Sequence, residues 1–185
     1  MPLTKVQSGL IEATGTPGAT TFLRGDGSWA GTITSGTAVT ASGTAVNFTD
    51  IPAGVKRITV MFSGVSTNGS SAVQVQLGDA GGIENSGYLH AFANTSSSVA
   101  STNFTSGFGI SIGDAGAVRH GVISLNLIGS NIWACSMVIG RSDAAAGGNG
   151  AGSKTLSDTL TQVRITTVNG TDTFDAGTIN IMYET

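Results

Sequence analysis

The sequence has few charged residues. Asp, Glu, Lys and Arg make up 10% of its 185 residues, against roughly 25% in an average soluble domain. The formal net charge is -3, so the chain carries no basic field that would attract phosphates, and we expect no binding to nucleic acid. Much of the surface must instead be covered by Ser, Thr and Asn, or by neighbouring subunits.

Cysteine and long apolar runs are also scarce. Cys135 is the single cysteine and cannot form an internal disulfide. It lies in the apolar run 132–139, which predicts a small buried hydrophobic residue. No apolar run approaches the length of about 18 residues that a transmembrane helix needs, so we expect no membrane insertion. The sequence does not begin with the basic and apolar regions of a signal peptide, so we expect synthesis in a cytoplasm without secretory export.

Sequence patterns for catalysis and for metal binding are missing. His90 and His120 are thirty residues apart, outside any metal-ligand spacing, and are interpreted as surface or interface residues. Glu12, Glu84 and Glu184 are the only glutamates, too few and too scattered to predict a catalytic carboxylate pair. No dinucleotide or Walker phosphate-binding pattern occurs, and no strand–turn–helix context for a nucleophilic serine is recognised. We therefore expect no enzyme activity, no cofactor and no metal.

Apolar residues alternate with other residues in six stretches, whereas the three-and-four spacing of a helix is absent. The stretches are 58–62, 73–77, 108–112, 123–127, 163–167 and 179–183. This period of two is typical of strands with one face on a core. Strands recurring every 10–15 residues, with Gly-rich connections, predict an all-β fold. We expect an antiparallel β-sandwich, jelly-roll-like, over residues 33–185.

Glycine is abundant and marks the expected turns. Asn68-Gly69 and Asn169-Gly170 predict short hairpins, and three Asp-Ala-Gly sequences predict turns rather than calcium loops. Residues 142–153 contain no bulky side chain and are interpreted as a loop or linker. A loop of this kind is either a recognition element or a mobile tip without a partner.

Residues 1–32 differ from the rest and are interpreted as an extended N-terminal arm. They contain few alternations and few core-forming side chains, chiefly Phe22, Leu23 and Trp29. The arm is too short to bury these three by itself, so we expect it to gain structure by packing on partners. Between them, Arg24 and Asp26 flank a glycine in a predicted tight turn and can pair within or across chains.

Residues 15–30, GTPGATTFLRGDGSWA, resemble a repeated element of bacteriophage tail-fibre chains. Residues 162–184 are similar to the terminal β-domain of many such fibres. The resemblance implies a virion protein that forms a parallel homotrimer and docks on baseplate or tail proteins through its arm. It also implies that the head touches polysaccharide or protein on the host surface. Apolar residues on both faces of some strands, as at 59–62 and 133–139, agree with a trimer, because one small sandwich cannot cover them.

Candidate receptor contacts and a second function remain open at this point. Three aromatic residues lie beside polar residues and are candidates for stacking on sugars: Tyr88, Phe92 and Trp133. The alternative for these aromatics is a position in the core or between subunits. Asn149, in the 142–153 segment, is a further candidate for contact with the receptor. The second function is a capsid decoration, cement or head-fibre protein that uses the same arm to grip the major capsid protein. The shortness of the chain favours this second function, whereas the motif at residues 15–29 favours the fibre. The single copy of the motif and the lack of a repeated shaft count against a long fibre.

Overall fold

The structure, a computed structural model, describes residues 22–23, 25, 27, 29–30, 33–96, 99–112 and 114–185. The chain divides into two units, residues 1–34 and residues 35–185. In the first unit, β1 (Phe22–Leu23) pairs antiparallel with β2 (Trp29–Ala30), which places Leu23 opposite Trp29. Arg24 and Asp26 lie outside the described residues, so their pairing stays a prediction.

All regular elements of the described residues are β-strands. After β3 (Ile33–Ser35), which spans the junction of the two units, the strands of the second unit are β4 (Val39–Thr40), β5 (Ala45–Phe48), β6 (Arg57–Thr67), β7 (Val73–Asp79), β8 (Gly82–Ile83), β9 (Tyr88–Thr95), β10 (Val99–Phe104), β11 (Phe108–Ile110), β12 (Arg119–Gly129), β13 (Ile132–Arg141), β14 (Gly147–Thr155), β15 (Gln162–Thr167) and β16 (Phe174–Glu184). The described residues contain no helix, and therefore none long and apolar enough to cross a membrane.

The second unit consists of two antiparallel sheets. The large sheet has the order β10-β9-β14-β13-β12-β6-β16, with β4 also paired to β16. The small sheet has the order β11-β7-β15-β5, with β8 paired to β7. The pairs β6·β16, β7·β15 and β9·β14 are nested, which gives the sandwich its jelly-roll-like character. The predicted all-β sandwich is confirmed.

The core lies between the sheets and is built from the alternating stretches of the sequence. Ile58, Val60, Ile123 and Leu125 on the large sheet are fully buried, as are the inward residues of β7 and β15 on the small sheet. Cys135 is buried among them, and burial raises the pKa of its thiol to about 12. The prediction of a small buried hydrophobic residue at this position is confirmed.

The two Asn-Gly sequences do not form hairpins, so that prediction is wrong. Asn68-Gly69 joins β6 of the large sheet to β7 of the small sheet, and Asn169-Gly170 joins β15 back to β16. The two connections lie side by side, because the Asn68 N–H donates to the carbonyl of Thr173 over 2.9 Å. A tight hairpin lies instead at Ser130-Asn131, where both residues have positive φ (48° and 61°), as a type I′ turn requires.

The Asp-Ala-Gly sequences take two different conformations. The Asp79 carboxylate accepts a 2.7 Å hydrogen bond from the Gly81 N–H, and the Ala117 N–H donates to the carbonyl of Asp114 over 3.1 Å. These two are turns, as predicted. Residues 175–177 instead lie inside β16, where the strand pairing shifts register and Gly177 has a φ of 93°. The third sequence is therefore a β-bulge and not a turn.

The interpretation of residues 142–153 as one long loop is wrong. Gly147–Thr155 is β14, a central strand between β13 and β9. Its glycines alternate, and a Cβ added at Gly148 would lie 2.4 Å from the ring of Phe92, while one at Gly150 would lie 2.8 Å from the ring of His90. The absence of bulky side chains thus makes room for two aromatic rings of the neighbouring strand, and does not indicate a linker.

Candidate functional site

The three aromatic candidates for receptor contact are core residues. Tyr88, Phe92 and Trp133 are at most 2% exposed, so stacking of these rings on a sugar is excluded in this arrangement. The core position, which was the alternative for these aromatics, is the one that the structure shows. Along β9, Tyr88 and Phe92 face the core, whereas Leu89 and the alanines face outward. Asn149 is exposed on β14.

Tyr88 ties the two sheets together. Its hydroxyl accepts a 2.7 Å hydrogen bond from the Leu77 N–H and donates over 2.9 Å to the carbonyl of Glu84. Its ring meets the Phe108 ring edge-to-face, with centroids 5.0 Å apart. Burial raises the pKa of the Tyr88 hydroxyl well above its usual range. This side chain is a neutral structural anchor.

His90 is also buried in the core, which corrects its interpretation as a surface or interface residue. Its Nε2 lies 3.0 Å from the carbonyl of Gly109, and its Nδ1 is buried without a hydrogen-bond partner. Burial lowers the pKa of His90, so the ring is held neutral. His120 is partly exposed and bonds to Gly64 and Ser142. Among the described residues, no three His, Cys, Asp or Glu side chains group to form a metal site.

One catalytic serine pattern does occur in the sequence, so the expectation that such patterns are missing is wrong at this place. Gly109-Ile110-Ser111-Ile112-Gly113 matches G-x-S-x-G, the pattern of a nucleophile elbow. That elbow needs a strand followed by a helix, and the described residues that follow β11 form no helix. The Ser111 hydroxyl lies 3.2 Å from that of Thr102. The surroundings of Ser111 therefore do not match those of a nucleophile.

The outward side of the large sheet, here called the outer face, is the first candidate site. Strand register aligns its side chains in rows across β6, β12, β13, β14 and β9. The first row is Met61, Val122, Val138, Asn149 and Ala93; the second is Thr59, Ser124, Ser136, Ala151 and Ala91; the third is Arg57, Asn126, Ala134, Ser153 and Leu89.

The outer face is apolar or neutral over most of its width. Val122 and Val138 lie directly opposite each other and are 48% and 66% exposed. Leu89 is exposed near the other edge. Among the outward residues of these rows the only charge is on Arg57, which is ion-paired with Glu184 of the next strand. The centre of the face therefore carries hydroxyl and apolar side chains but no charge.

The second candidate site is a cleft on the outward side of the small sheet, here called the polar cleft. Its volume is about 460 Å³. The polar side chains that line it include Gln74, Gln76, Asn85, Ser106, Arg164 and Thr166. No described carboxylate lines it.

Two of these side chains are buried although the sequence alternation places them on the solvent side of β7. Gln74 and Gln76 are 2% and 6% exposed, because the connection between β10 and β11 covers them. The Gln76 Nε2 donates to the carbonyl of Ser106 over 2.9 Å, and the Ser106 hydroxyl donates to Oε1 of Gln74 over 2.9 Å. Nothing in the local pattern around Val73–Asp79 indicates this cover.

No protein-family model matches the chain, no curated protein matches it, and no solved structure matches it.

Proposed function

We propose that the protein is a structural protein of a bacteriophage virion: a short or baseplate-attached tail fibre whose trimeric β-sandwich head binds the host surface. The observation that carries the proposal is the outer face of the large sheet. Charged residues are depleted in the centres of protein–protein interfaces, and large exposed apolar patches mark interaction sites. The Val122–Val138 pair, in the first row, is an exposed apolar pair of this face.

The size of the outer face fits a second copy of the chain. The five strands of the outer face, β6, β12, β13, β14 and β9, are spaced about 4.8 Å apart, and its three rows lie along strands that rise about 3.4 Å per residue, so the face covers on the order of 500 Å². A standard interface takes about 800 Å² from each partner. The outer face therefore supplies most of one interface.

The N-terminal arm supports the virion part of the proposal. Its sequence TTFLRGDGSW at residues 20–29 is similar to the tail-fibre element, and Leu23 and Trp29 face each other across the β1–β2 pair. An arm that docks on baseplate or tail proteins uses these apolar anchors. Under the second function, capsid decoration, the same anchors contact the major capsid protein.

Light scattering of the full chain tests the oligomer. We expect a mass of three times the 18.4 kDa of one chain, and a folded monomer from Val138→Lys, because a lysine at this exposed position resists the desolvation that an interface requires. Val168→Lys is the matched control, since this valine is also exposed but follows β15 of the small sheet. A well-folded monomeric wild type at micromolar concentration contradicts the proposal.

Phage particles test the virion assignment. Trp29→Ala removes an aromatic anchor of the arm, and we expect it to lower incorporation of the protein into particles. Particles without the protein should then adsorb poorly to host cells. Normal adsorption together with heads that burst early on heating would favour capsid decoration instead.

A further inference from the structure

We propose that the polar cleft binds an acidic sugar of a host-surface polysaccharide, with the Arg164 guanidinium holding the sugar carboxylate. This inference rests on the proposed function, since it names the ligand class and the site through which the head would adhere. Four observations carry it: the lack of an anionic partner for Arg164, its neutral neighbours, the exposed amide of Asn85 on the cleft wall, and the absence of a second cation in the described lining.

Arg164 is a positioned cation without an anionic partner. Its Nε donates to Oδ1 of Asn47 over 2.8 Å, which orients the guanidinium and engages one of its five N–H groups. The ion pairs among the described residues involve Arg57, Arg141 and Lys154, and none involves Arg164. In a chain with so few charges, a half-buried arginine in a cleft is open to a carboxylate from outside.

The neighbours of Arg164 are neutral on both sides. Strand register places Gln76 of β7 opposite it on one side and Asn47 of β5 on the other. Because no described carboxylate lines the cleft, an incoming anion meets no repulsion from a like charge. The planar guanidinium offers two parallel N–H groups, which match the two oxygens of a carboxylate.

An exposed amide on the cleft wall is suited to sugar hydroxyls. An amide group presents both donors and an acceptor, and a hydroxyl presents both on one atom. Asn85 is exposed and lines the cleft, so its amide can meet a ligand beside Arg164. Gln74 and Gln76 are buried and bonded to Ser106, so they support the cleft and are not assigned ligand contacts.

The composition of the cleft argues against other anions. Nucleic acid and other polyphosphates need several cations that follow the backbone, whereas Arg164 is the only cation that lines this cleft among the described residues. No described aromatic residue lines it either, so affinity must come from polar contacts and one charge. Binding at a single cleft is then weak, and three clefts on one trimer raise the avidity on a repeating polysaccharide.

The test is calorimetric titration of the full chain with oligosaccharides that contain galacturonate, glucuronate or sialate, each compared with a neutral galactose oligosaccharide. We expect binding of at least one acidic probe, weakened by salt, and no measurable binding of the neutral one. Arg164→Gln should lower the affinity at least tenfold, and Arg164→Lys should retain part of it. Lys56→Gln, which removes an exposed cation outside the cleft, is the matched control and should bind like the wild type.

Thermal melting shows whether Arg164→Gln is folded; if it is not, Asn85→Ala serves as the second variant and should also weaken binding. Failure of all three acidic probes, equal binding of the neutral probe, or an unchanged affinity in the folded variants overturns the inference. A trimer that adsorbs to cells but binds no acidic probe overturns the cleft and leaves the fibre proposal. A monomer that binds an acidic probe through Arg164 supports the cleft proposal and contradicts the proposal of a trimeric fibre.

Discussion

Arg119 and Arg141 lie directly opposite each other on the neighbouring strands β12 and β13. Like charges in this position normally destabilise a sheet. Here the two guanidinium groups point to different partners. Arg119 is buried and donates over 3.1 Å to the carbonyls of both Ile112 and Ala117, whereas Arg141 is ion-paired with Asp143. Arg119 thus stabilises the connection between β11 and β12, and Arg141 stabilises the connection between β13 and β14.

Replacing Arg119 by Met should destabilise the head. The carbonyls of Ile112 and Ala117 lose their donor, and an unsatisfied buried acceptor costs about 1–3 kcal/mol. Part of this cost is offset because a buried charge is removed, so we expect a loss of about 2 kcal/mol in the free energy of unfolding, measured by urea titration. Arg57→Met, at an exposed ion pair, should change it by less than about 1 kcal/mol. Equal effects of the two substitutions would contradict the role given to Arg119.

Gly150→Val tests the packing of aromatic rings over β14. A Cβ at this position would lie 2.8 Å from Cε1 of His90 and 3.0 Å from the ring of Phe92, and overpacking of this kind costs about 1–3 kcal/mol. Gly140→Val in β13 is the matched control, because a Cβ there has no atom within 4 Å. We expect the melting temperature to fall for Gly150→Val and to stay within a few degrees for Gly140→Val. A stable Gly150→Val protein would show that β9 and β14 are not packed in this way.

His90 should make stability depend on pH on the acidic side of neutrality. Burial lowers its pKa in the folded state below the ordinary value of 6.5. At a pH between the folded-state pKa and 6.5, the imidazole of His90 binds a proton more readily in the unfolded chain than in the folded protein. The free energy of unfolding therefore falls as pH falls through this window. Denaturant titrations from pH 8 to pH 5 should show this slope, and His90→Gln should reduce it. An identical slope in the variant would contradict the burial of the neutral ring.

Local pattern was enough to predict which side of a strand faces the core. Ile123 and Leu125 are buried while Val122 between β6 and β13 is exposed, because side chains alternate across a pleated strand whatever its neighbours are. The apolar residues on both faces of β13 likewise predicted an exposed apolar surface. The sequence did not indicate that β13 is a central strand of the large sheet. The all-β class and the inward residues of the six alternating stretches followed from the sequence alone.

Tertiary structure decided which strands are neighbours, and with them both candidate sites. A glycine is accommodated at position 150, within a central strand, because the rings of Phe92 and His90, far away in the sequence, occupy the space where a Cβ would lie. Gln76 is buried because Ser106, 30 residues later, covers it. Val122 and Val138 form one patch because of their register. Such contacts join residues that are distant along the chain, and a local sequence pattern carries no information on which of these residues meet. A local pattern determines which way a side chain points, whereas the packing of the whole chain determines what the side chain contacts.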